Sequence, residues 1–391
     1  MKKYLIIGNG VAGTTAAENI RHNDAAGEII IVSAEDTPFY YRVRLPDYLG
    51  GAVQESQLIA KQKSWYDDNR ITLKLSTRVK SIEPGAKEVQ LEDGESISYD
   101  SLLLANGSQP FIPPVKGLDK TGVFSLHTIA DARKIIRAAG EISDVMLIGG
   151  GLLGLEAAHG LHNLGKKITV VEFFPRLLPR QLDSAGAAVL QEYFENLGYT
   201  FKLGAVAEEI TGSSRVAGVT LESGEVLQTE MVIISAGVRP NLGLAQTGGL
   251  KTARGIVVDK YLQTSHPGIY AAGDVIEFAE RTYGIWPAAM EQGKIAGLNI
   301  SGGEEPYTGT IMANILKVAG VDVASAGEID EENRYKSKVV ATETVYKKVV
   351  INNDKVIGCI MLGDRKNFNR FKKAISNSED ILDELDSLLS G

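Results

Sequence analysis

The feature that most constrains this chain is a unit that occurs twice. An apolar run from Lys3 leads into Gly8-Asn9-Gly10-Val11-Ala12-Gly13, and Thr14 to His22 follows with apolar residues at helical spacing. The β-branched run Glu28 to Val32 then ends a few residues before Glu35. The same order returns with Val145 to Ile148, Gly149-Gly150-Gly151-Leu152-Leu153-Gly154, a helix over about Leu155 to Leu164, and the run Ile168 to Glu172. A single glycine-rich turn says little. Two complete units, each closing on an acid, predict two dinucleotide-binding βαβ modules. The first glycine of each set (Gly8, Gly149) allows the tight turn, the second (Gly10, Gly151) lets the backbone approach a pyrophosphate, and the third (Gly13, Gly154) lets helix and strand pack closely. Val11, Ala12 and Leu152 lie within the two glycine fingerprints, just ahead of helices whose N-termini offer unpaired N–H groups and partial positive charge to an anion. Glu35 and Glu172 stand where such units place the acid that binds ribose hydroxyls. A carboxylate at Glu172 repels a 2′-phosphate, so NADH is expected over NADPH, with Arg176 close behind as the residue that could reach such a phosphate.

A chain of 391 residues exceeds one ordinary core, so several domains are expected. Between the two units lie strand-like runs at Thr72 to Leu75, Val79 to Ile82, Val89 to Leu91 and Ser101 to Ala105. Pro110, Pro113, Pro114 and Gly117 read as a stiff crossover, and Thr128 with Asp131 as a capping box that opens the second domain. After Gly237-Val238-Arg239-Pro240-Asn241 the chain is expected to cross back and complete the first domain. The last segment carries strand-like runs at Lys338 to Thr342 and Tyr346 to Ile351. The expected architecture is α/β: a discontinuous first domain of residues 1–110 and 237–305, a second of 111–236, and a small C-terminal α+β domain of 306–391.

Hydrophobic residues at 44% and charged residues at 23% describe a globular chain rather than a disordered or membrane one. No apolar stretch approaches spanning length, and the N-terminal run is too short for a signal peptide, so no membrane association and a cytoplasmic location are expected. A net charge of −8 argues against non-specific nucleic-acid binding. The single cysteine, Cys359, cannot form an internal disulfide or a thiolate metal site, so redox chemistry here needs a borrowed cofactor.

Both glycine fingerprints, the crossings Leu104-Ala105-Asn106-Gly107 and Ala236-Gly237, and Gly273-Asp274 together resemble the flavoprotein pyridine-nucleotide oxidoreductases related to the disulfide reductases, over essentially the whole chain. Within that family the chain most resembles NADH:rubredoxin reductase and the similar flavoprotein part of nitrite reductase. Two segments carry this likeness: Ile285-Trp286-Pro287-Ala288-Ala289-Met290-Glu291-Gln292-Gly293-Lys294 and Asn314-Ile315-Leu316-Lys317-Val318-Ala319-Gly320. The resemblance implies a glutathione-reductase-like fold in which the first fingerprint binds FAD and the second NAD(P)H. It further implies that Gly273 and Asp274 hold the flavin ribitol and that Arg42 meets the FAD phosphates. Val79 would meet the adenine end through its backbone, while Ala105, Gly107 and Trp286 belong to the FAD site and Gly237 to the NADH site. Lys317 is expected to approach the flavin, and Glu156 the nicotinamide side of the ring; these two are the candidate catalytic residues. Beside a flavin, the Lys317 charge would stabilise the reduced ring.

Chemistry present in relatives is missing here. In NADH oxidases, NADH peroxidases and coenzyme A disulfide reductases a redox cysteine lies in the region that Tyr41 to Tyr48 overlays, and Val43 falls at its place. No dithiol is available either, so electrons are expected to leave directly from the flavin. Asn106 stands where the family usually has threonine. His159 and His162 share a helix face without a third metal ligand, and no metal is expected. Cys359 lies in an apolar run and reads as an inert buried thiol. Residues Asp364 to Lys373 hold five basic residues and one acid, which reads either as a solvated helix face or as a docking site for an acidic electron carrier. In the final helix Ile381, Leu385 and Leu388 offer a packing or homodimer face.

The expected function is electron transfer from NADH through FAD to a small one-electron carrier such as rubredoxin. Three alternatives share these motifs: an NADH oxidase making hydrogen peroxide, a reductase component for ferredoxin or nitrite reduction, and a flavin-based redox-sensing interaction protein.

Overall fold

The computed structural model describes residues 1–390, save the side chains of Leu316 and Val318. They fall into two compact units, one made of residues 1–41, 55–109 and 238–310 and the other of 42–54, 110–237 and Ile311 onward.

The first unit is built on a parallel sheet in the order Ile269–Ala271, Ser101–Leu104, Lys3–Ile7, Glu28–Val32, Ile71–Lys74. Its strands are near-continuous apolar runs, as suits a parallel sheet buried on both faces, and the apolar residues of the meander join the same core. Leu5, Leu102, Leu103 and Leu104 are fully buried. The helices Val11–Asn23 and Trp286–Ile300 lie against one another through small residues. A Cβ at Gly293 would sit 2.4 Å from the Ala12 carbonyl oxygen, and one at Gly297 would sit 2.6 Å from that of Ala16. The first helix starts at Val11, three residues before the periodicity suggests, because Gly13 hides its opening turn from a propensity reading. An antiparallel meander, Val79–Glu83, Glu88–Leu91 and Ser96–Ser98, completes the unit.

The second unit repeats this plan. Its parallel sheet runs Thr200–Leu203, Lys167–Glu172, Asp144–Ile148, Met231–Ile234, Val123–Ser125, and its meander is Ala207–Thr211, Gly218–Leu221, Val226–Gln228. The capping box opens the helix Ile129–Ala139: Asp131 N–H donates to Thr128 Oγ1 at 3.2 Å, and Thr128 N–H donates to Asp131 Oδ2 at 2.9 Å. Residues 42–54 pack here. The short helix Leu45–Leu49 crosses the helix Leu152–Asn163 where Gly50 meets Gly160; a Cβ on Gly50 would come within 2.7 Å of the Gly160 Cα.

The C-terminal segment of this unit is an antiparallel sheet ordered Ala313–Val318, Val321–Gly327, Lys355–Leu362, Tyr346–Asn352, Lys336–Ala341. The helix Phe368–Asn377 buries Phe368, Phe371 and Ala374 over Val349, Val356, Cys359 and Met361. At the chain's end the buried face is Ile381, Leu385 and Leu389 rather than Leu388, which is only partly buried. That face covers the chain's own core, which uses the apolar side that a dimer contact would need.

Candidate functional site

In the first unit the glycine turn joins Lys3–Ile7 to the helix Val11–Asn23. Gly8 adopts φ +115° and donates its N–H to the Val32 carbonyl at 2.8 Å; a Cβ there would collide with the Ala105 carbonyl oxygen at 2.1 Å. Around Gly10, by contrast, a Cβ would meet no protein atom within 4 Å, and the helix that follows has no side-chain cap. An open approach to uncapped helix N–H groups is what a pyrophosphate requires. Val11 and Ala12 lie in that first turn, and Gly13 rests on the Gly8 carbonyl.

Other residues of this unit gather at the same carboxyl edge of the sheet. Glu35 Oε2 accepts from the Tyr40 hydroxyl at 2.6 Å, and Asp274 Oδ2 accepts from Ser108 Oγ at 3.1 Å. Gly273 has φ +88° and Gly107 φ +64°. Val79 is buried opposite Leu91, and Trp286 stacks on Phe39 with ring centroids 5.7 Å apart. Asn9 Nδ2 and Asn106 Oδ1 are buried without a partner, although each amide's other end is bonded: Asn9 Oδ1 accepts from the Tyr66 hydroxyl at 3.0 Å, and Asn106 Nδ2 donates to the Asn241 carbonyl at 2.9 Å. Buried amide atoms without a bond are costly, so this edge fits a polar ligand that supplies the missing partners. The residues present therefore fit FAD. The motifs do not single out Asn9, Tyr66 or Ser108: Asn9 and Ser108 adjoin glycines of the motifs, while Tyr66, distant in sequence, carries no such signal.

The second turn repeats the first. Gly149 has φ +114°, donates to the Val171 carbonyl at 2.8 Å, and a Cβ on it would sit 2.3 Å from the Ser235 carbonyl oxygen. Gly151 faces open space, the helix Leu152–Asn163 is uncapped, and Gly154 rests on the Gly149 carbonyl. Gly237, at φ +101°, ends the crossing that follows Met231–Ile234. Glu172 is only 6% exposed. Its Oε2 accepts from Gly150 N–H at 2.5 Å and its Oε1 from Phe174 N–H at 2.8 Å, so both oxygens of this acid shape the glycine turn. Arg176 is committed elsewhere: it pairs with Glu331 at 3.2 Å and donates to the Leu182 and Pro179 carbonyls. This turn fits NAD(H).

The second unit also holds a polar cavity of about 90 Å³ beyond the Gly50–Gly160 crossing. Glu156, His159 and Asn163 line it from the glycine helix, Val43 and Asp47 from residues 42–54, and Lys317 from the C-terminal sheet. Burial, and then the Asp47 carboxylate, push the Glu156 carboxyl up to about 7. His159 is held below its usual value by burial and by His162. The cavity thus joins the two candidate catalytic side chains, Glu156 and Lys317. Val43, 57% exposed, borders it. Arg42 donates to the His127 carbonyl.

The remaining candidates are placed apart from these sites. His162 packs on Tyr199 at 4.9 Å, and among the described residues no trio of His, Cys, Asp and Glu gathers for a metal. Cys359 is buried, and its thiol is pushed up to about 12 by burial. The basic run at 364–373 is partly neutralised: Arg370 pairs with Glu379 and Glu384, Arg365 with Asp322, and Lys373 lies 4.0 Å from Glu379, while the run's one acid, Asp364, is taken up by Lys347. Among the described residues no helix is long and apolar enough to cross a membrane.

A chain that builds one phosphate cradle twice on a duplicated α/β frame holds two dinucleotides, and the class that does so is the FAD- and NAD(P)H-dependent oxidoreductases. The chain belongs to the pyridine nucleotide-disulphide oxidoreductase family, whose profile matches residues 2–293, and residues 313–379 match the rubredoxin NAD+ reductase C-terminal domain. It is 37% identical over 97% of its length to the nitrite reductase [NAD(P)H] of Bacillus subtilis, of which it spans about half (48%). It is 32% identical to the NADH-rubredoxin oxidoreductase of Clostridium acetobutylicum, covering 99% of this chain and 98% of that one. The crystal structure of NADH:rubredoxin oxidoreductase from Clostridium acetobutylicum superposes with a TM-score of 0.83 at 31% identity, covering 100% of this chain and 99% of that one.

Proposed function

We propose that this chain takes electrons from NADH and passes them through FAD to a small one-electron carrier protein such as rubredoxin. The observation that carries the proposal is the pair of open glycine cradles in a chain whose single cysteine, Cys359, is buried in the C-terminal core. Bound FAD supplies the conversion of a hydride's two electrons into single electrons. The end-to-end likeness to a protein named NADH-rubredoxin oxidoreductase supports the choice of acceptor.

The chain's own residues then have the following parts. Residues 1–110 and 237–305 form the FAD-binding domain, in which Gly8, Gly10, Val11, Ala12 and Gly13 take the pyrophosphate and Glu35 the adenosine ribose. Val79 takes the adenine end, and Ala105, Gly107, Gly273, Asp274 and Trp286 take the remainder of the flavin nucleotide, with Arg42 serving its phosphates. Residues 111–236 bind NADH through Gly149, Gly151, Leu152, Gly154 and Glu172, with Gly237 closing the crossing. NADH is preferred to NADPH because Glu172 repels a 2′-phosphate and Arg176 is already paired. Residues 306–391 form the C-terminal domain, which brings Lys317 to the cavity of Glu156. Lys317 offsets negative charge and Glu156 holds a proton near neutrality. Lys366, Lys372 and Lys373 provide the positive surface that an acidic carrier would meet.

A second reading is favoured by one observation, the likeness to half of a nitrite reductase: the chain would then be the electron-delivery part of a larger reductase. Steady-state NADH oxidation by the FAD-loaded protein separates the readings. Fast reduction of rubredoxin under anaerobic conditions, slowed by salt, supports the proposal. Turnover with oxygen alone makes the protein a hydrogen-peroxide-forming oxidase, and slow turnover with every acceptor together with a redox-dependent mass makes it a sensing protein.

A further inference from the structure

Gln292 is fully buried in the helix Trp286–Ile300, and both ends of its amide are used. Its Oε1 accepts the Gly273 N–H at 2.9 Å, and its Nε2 donates to the Tyr307 hydroxyl at 3.0 Å. That hydroxyl lies 2.7 Å from Thr310 Oγ1, which in turn donates to Glu291 Oε2 at 2.6 Å. An ionised carboxylate only accepts, so Thr310 gives its hydrogen to Glu291, and Tyr307 must give its own to Thr310. Every hydrogen in the chain therefore points the same way, from Gly273 through Gln292, Tyr307 and Thr310 to Glu291. Such a chain polarises each member and fixes the Gln292 amide in one orientation, because a flipped amide would set N–H against the Gly273 N–H. Burial holds the Tyr307 hydroxyl well above the usual phenol range, which keeps it neutral and able to serve as both donor and acceptor. The glycine it secures is constrained from the other side: a Cβ on Gly273 would come within 3.0 Å of the Ala12 Cβ in the first glycine helix. The next residue is Asp274.

We infer that Gln292, oriented by Tyr307, Thr310 and Glu291, is a positioning residue that sets the Gly273–Asp274 turn so that the Asp274 carboxylate faces the flavin nucleotide. The inference rests on the assignment of FAD to the first unit. It differs from a packing role in that the polarity of the relay, and not only its volume, matters.

The test is FAD titration into the deflavinated chain, with the visible circular dichroism of the bound flavin and NAD+ affinity recorded on the same samples. Gln292→Met keeps the volume and leaves the Gly273 N–H unpaired; it is expected to lose roughly tenfold in FAD affinity and to change the flavin dichroism, as suits the loss of an oriented hydrogen bond. Tyr307→Phe is expected to lose less, and Asp274→Ala more, while NAD+ affinity stays at the wild-type value in all three. Gln292→Glu keeps the polarity only when protonated, since the acid form accepts from Gly273 and donates to Tyr307. Its FAD affinity relative to wild type is therefore expected to recover as pH falls. Wild-type flavin affinity and dichroism in Gln292→Met, equal losses of FAD and NAD+ affinity, or a pH-independent ratio for Gln292→Glu would each overturn the inference. Failure of the wild-type chain to take up FAD would overturn the flavin assignment itself.

Discussion

Lys348 Nζ lies 3.0 Å from Asp183 Oδ2, with the two side chains only 2% and 10% exposed. The aspartate also caps the helix Ser184–Asn196 through the Gly186 N–H and accepts from the Tyr346 hydroxyl at 2.7 Å, while Lys348 donates to the Asp330 carbonyl at 2.9 Å. This buried joint fastens the C-terminal sheet to the start of the helix Ser184–Asn196. Lys348→Met leaves Asp183 charged and without its cation, and is expected to cost about 3–5 kcal/mol in urea unfolding. The double variant Asp183→Asn/Lys348→Met should recover part of that loss. A single variant as stable as wild type would show that the joint is not closed in solution.

Glu156 makes stability depend on pH in a defined direction. Its carboxyl rises from 4.5 to about 7 on folding, so between those values the folded chain holds more protons than the unfolded one, and stability falls as pH rises through that window. Below the window this group contributes no difference; above it the full penalty of a buried carboxylate stands, at most about 3 kcal/mol. Glu156→Gln should flatten this part of the profile and be more stable than wild type above pH 7. Parallel unfolding profiles for the two proteins would contradict the burial of Glu156.

Glu172 supports the second glycine turn through both carboxylate oxygens, and the proposed function gives it the ribose as well. Glu172→Ala frees the Gly150 and Phe174 N–H groups and is expected to weaken NADH binding by about tenfold, and NADPH binding by less, because the repulsion of the 2′-phosphate is also removed. Calorimetric affinities for both nucleotides check this. Equal losses would mean that the acid serves the turn alone.

The surface helix makes a salt-dependent prediction. Since Arg370 is held by Glu379 and Glu384, the charge available to a partner rests on its lysines. Lys366→Glu/Lys372→Glu should slow reduction of an acidic carrier several-fold at low salt and much less at high salt, with flavin reduction by NADH unaltered. An unchanged rate at low salt would return this face to ordinary solvated surface.

Much of the frame is legible in the sequence because its constraints are local. A glycine turn between a buried strand and a helix leaves the same mark twice, and the capping box of Thr128 and Asp131 is spelled out within four residues. What the sequence hides depends on distant partners. Arg176 reads as a candidate for a 2′-phosphate until Glu331, far along the chain, is seen to hold it. The basic run at 364–373 reads as a bare positive surface because its acids, Glu379, Glu384 and Asp322, lie outside the window. The helix Ser184–Asn196 passes unnoticed although Asp183 is a sound N-cap signal, since its buried face mixes Gly186 and Ala187 with Leu190 and Phe194. Gln292 lies within a quoted motif, but its role appears only once Gly273 and Tyr307 are brought to either end of its amide.

The claim that electrons leave directly from the flavin is tested most directly by anaerobic titration of the FAD-loaded protein with NADH. The account predicts that about one NADH per flavin bleaches the visible band completely, because no second two-electron centre is present when the one cysteine is Cys359, buried in the C-terminal core. A requirement for a further equivalent would reveal another redox group and contradict the account.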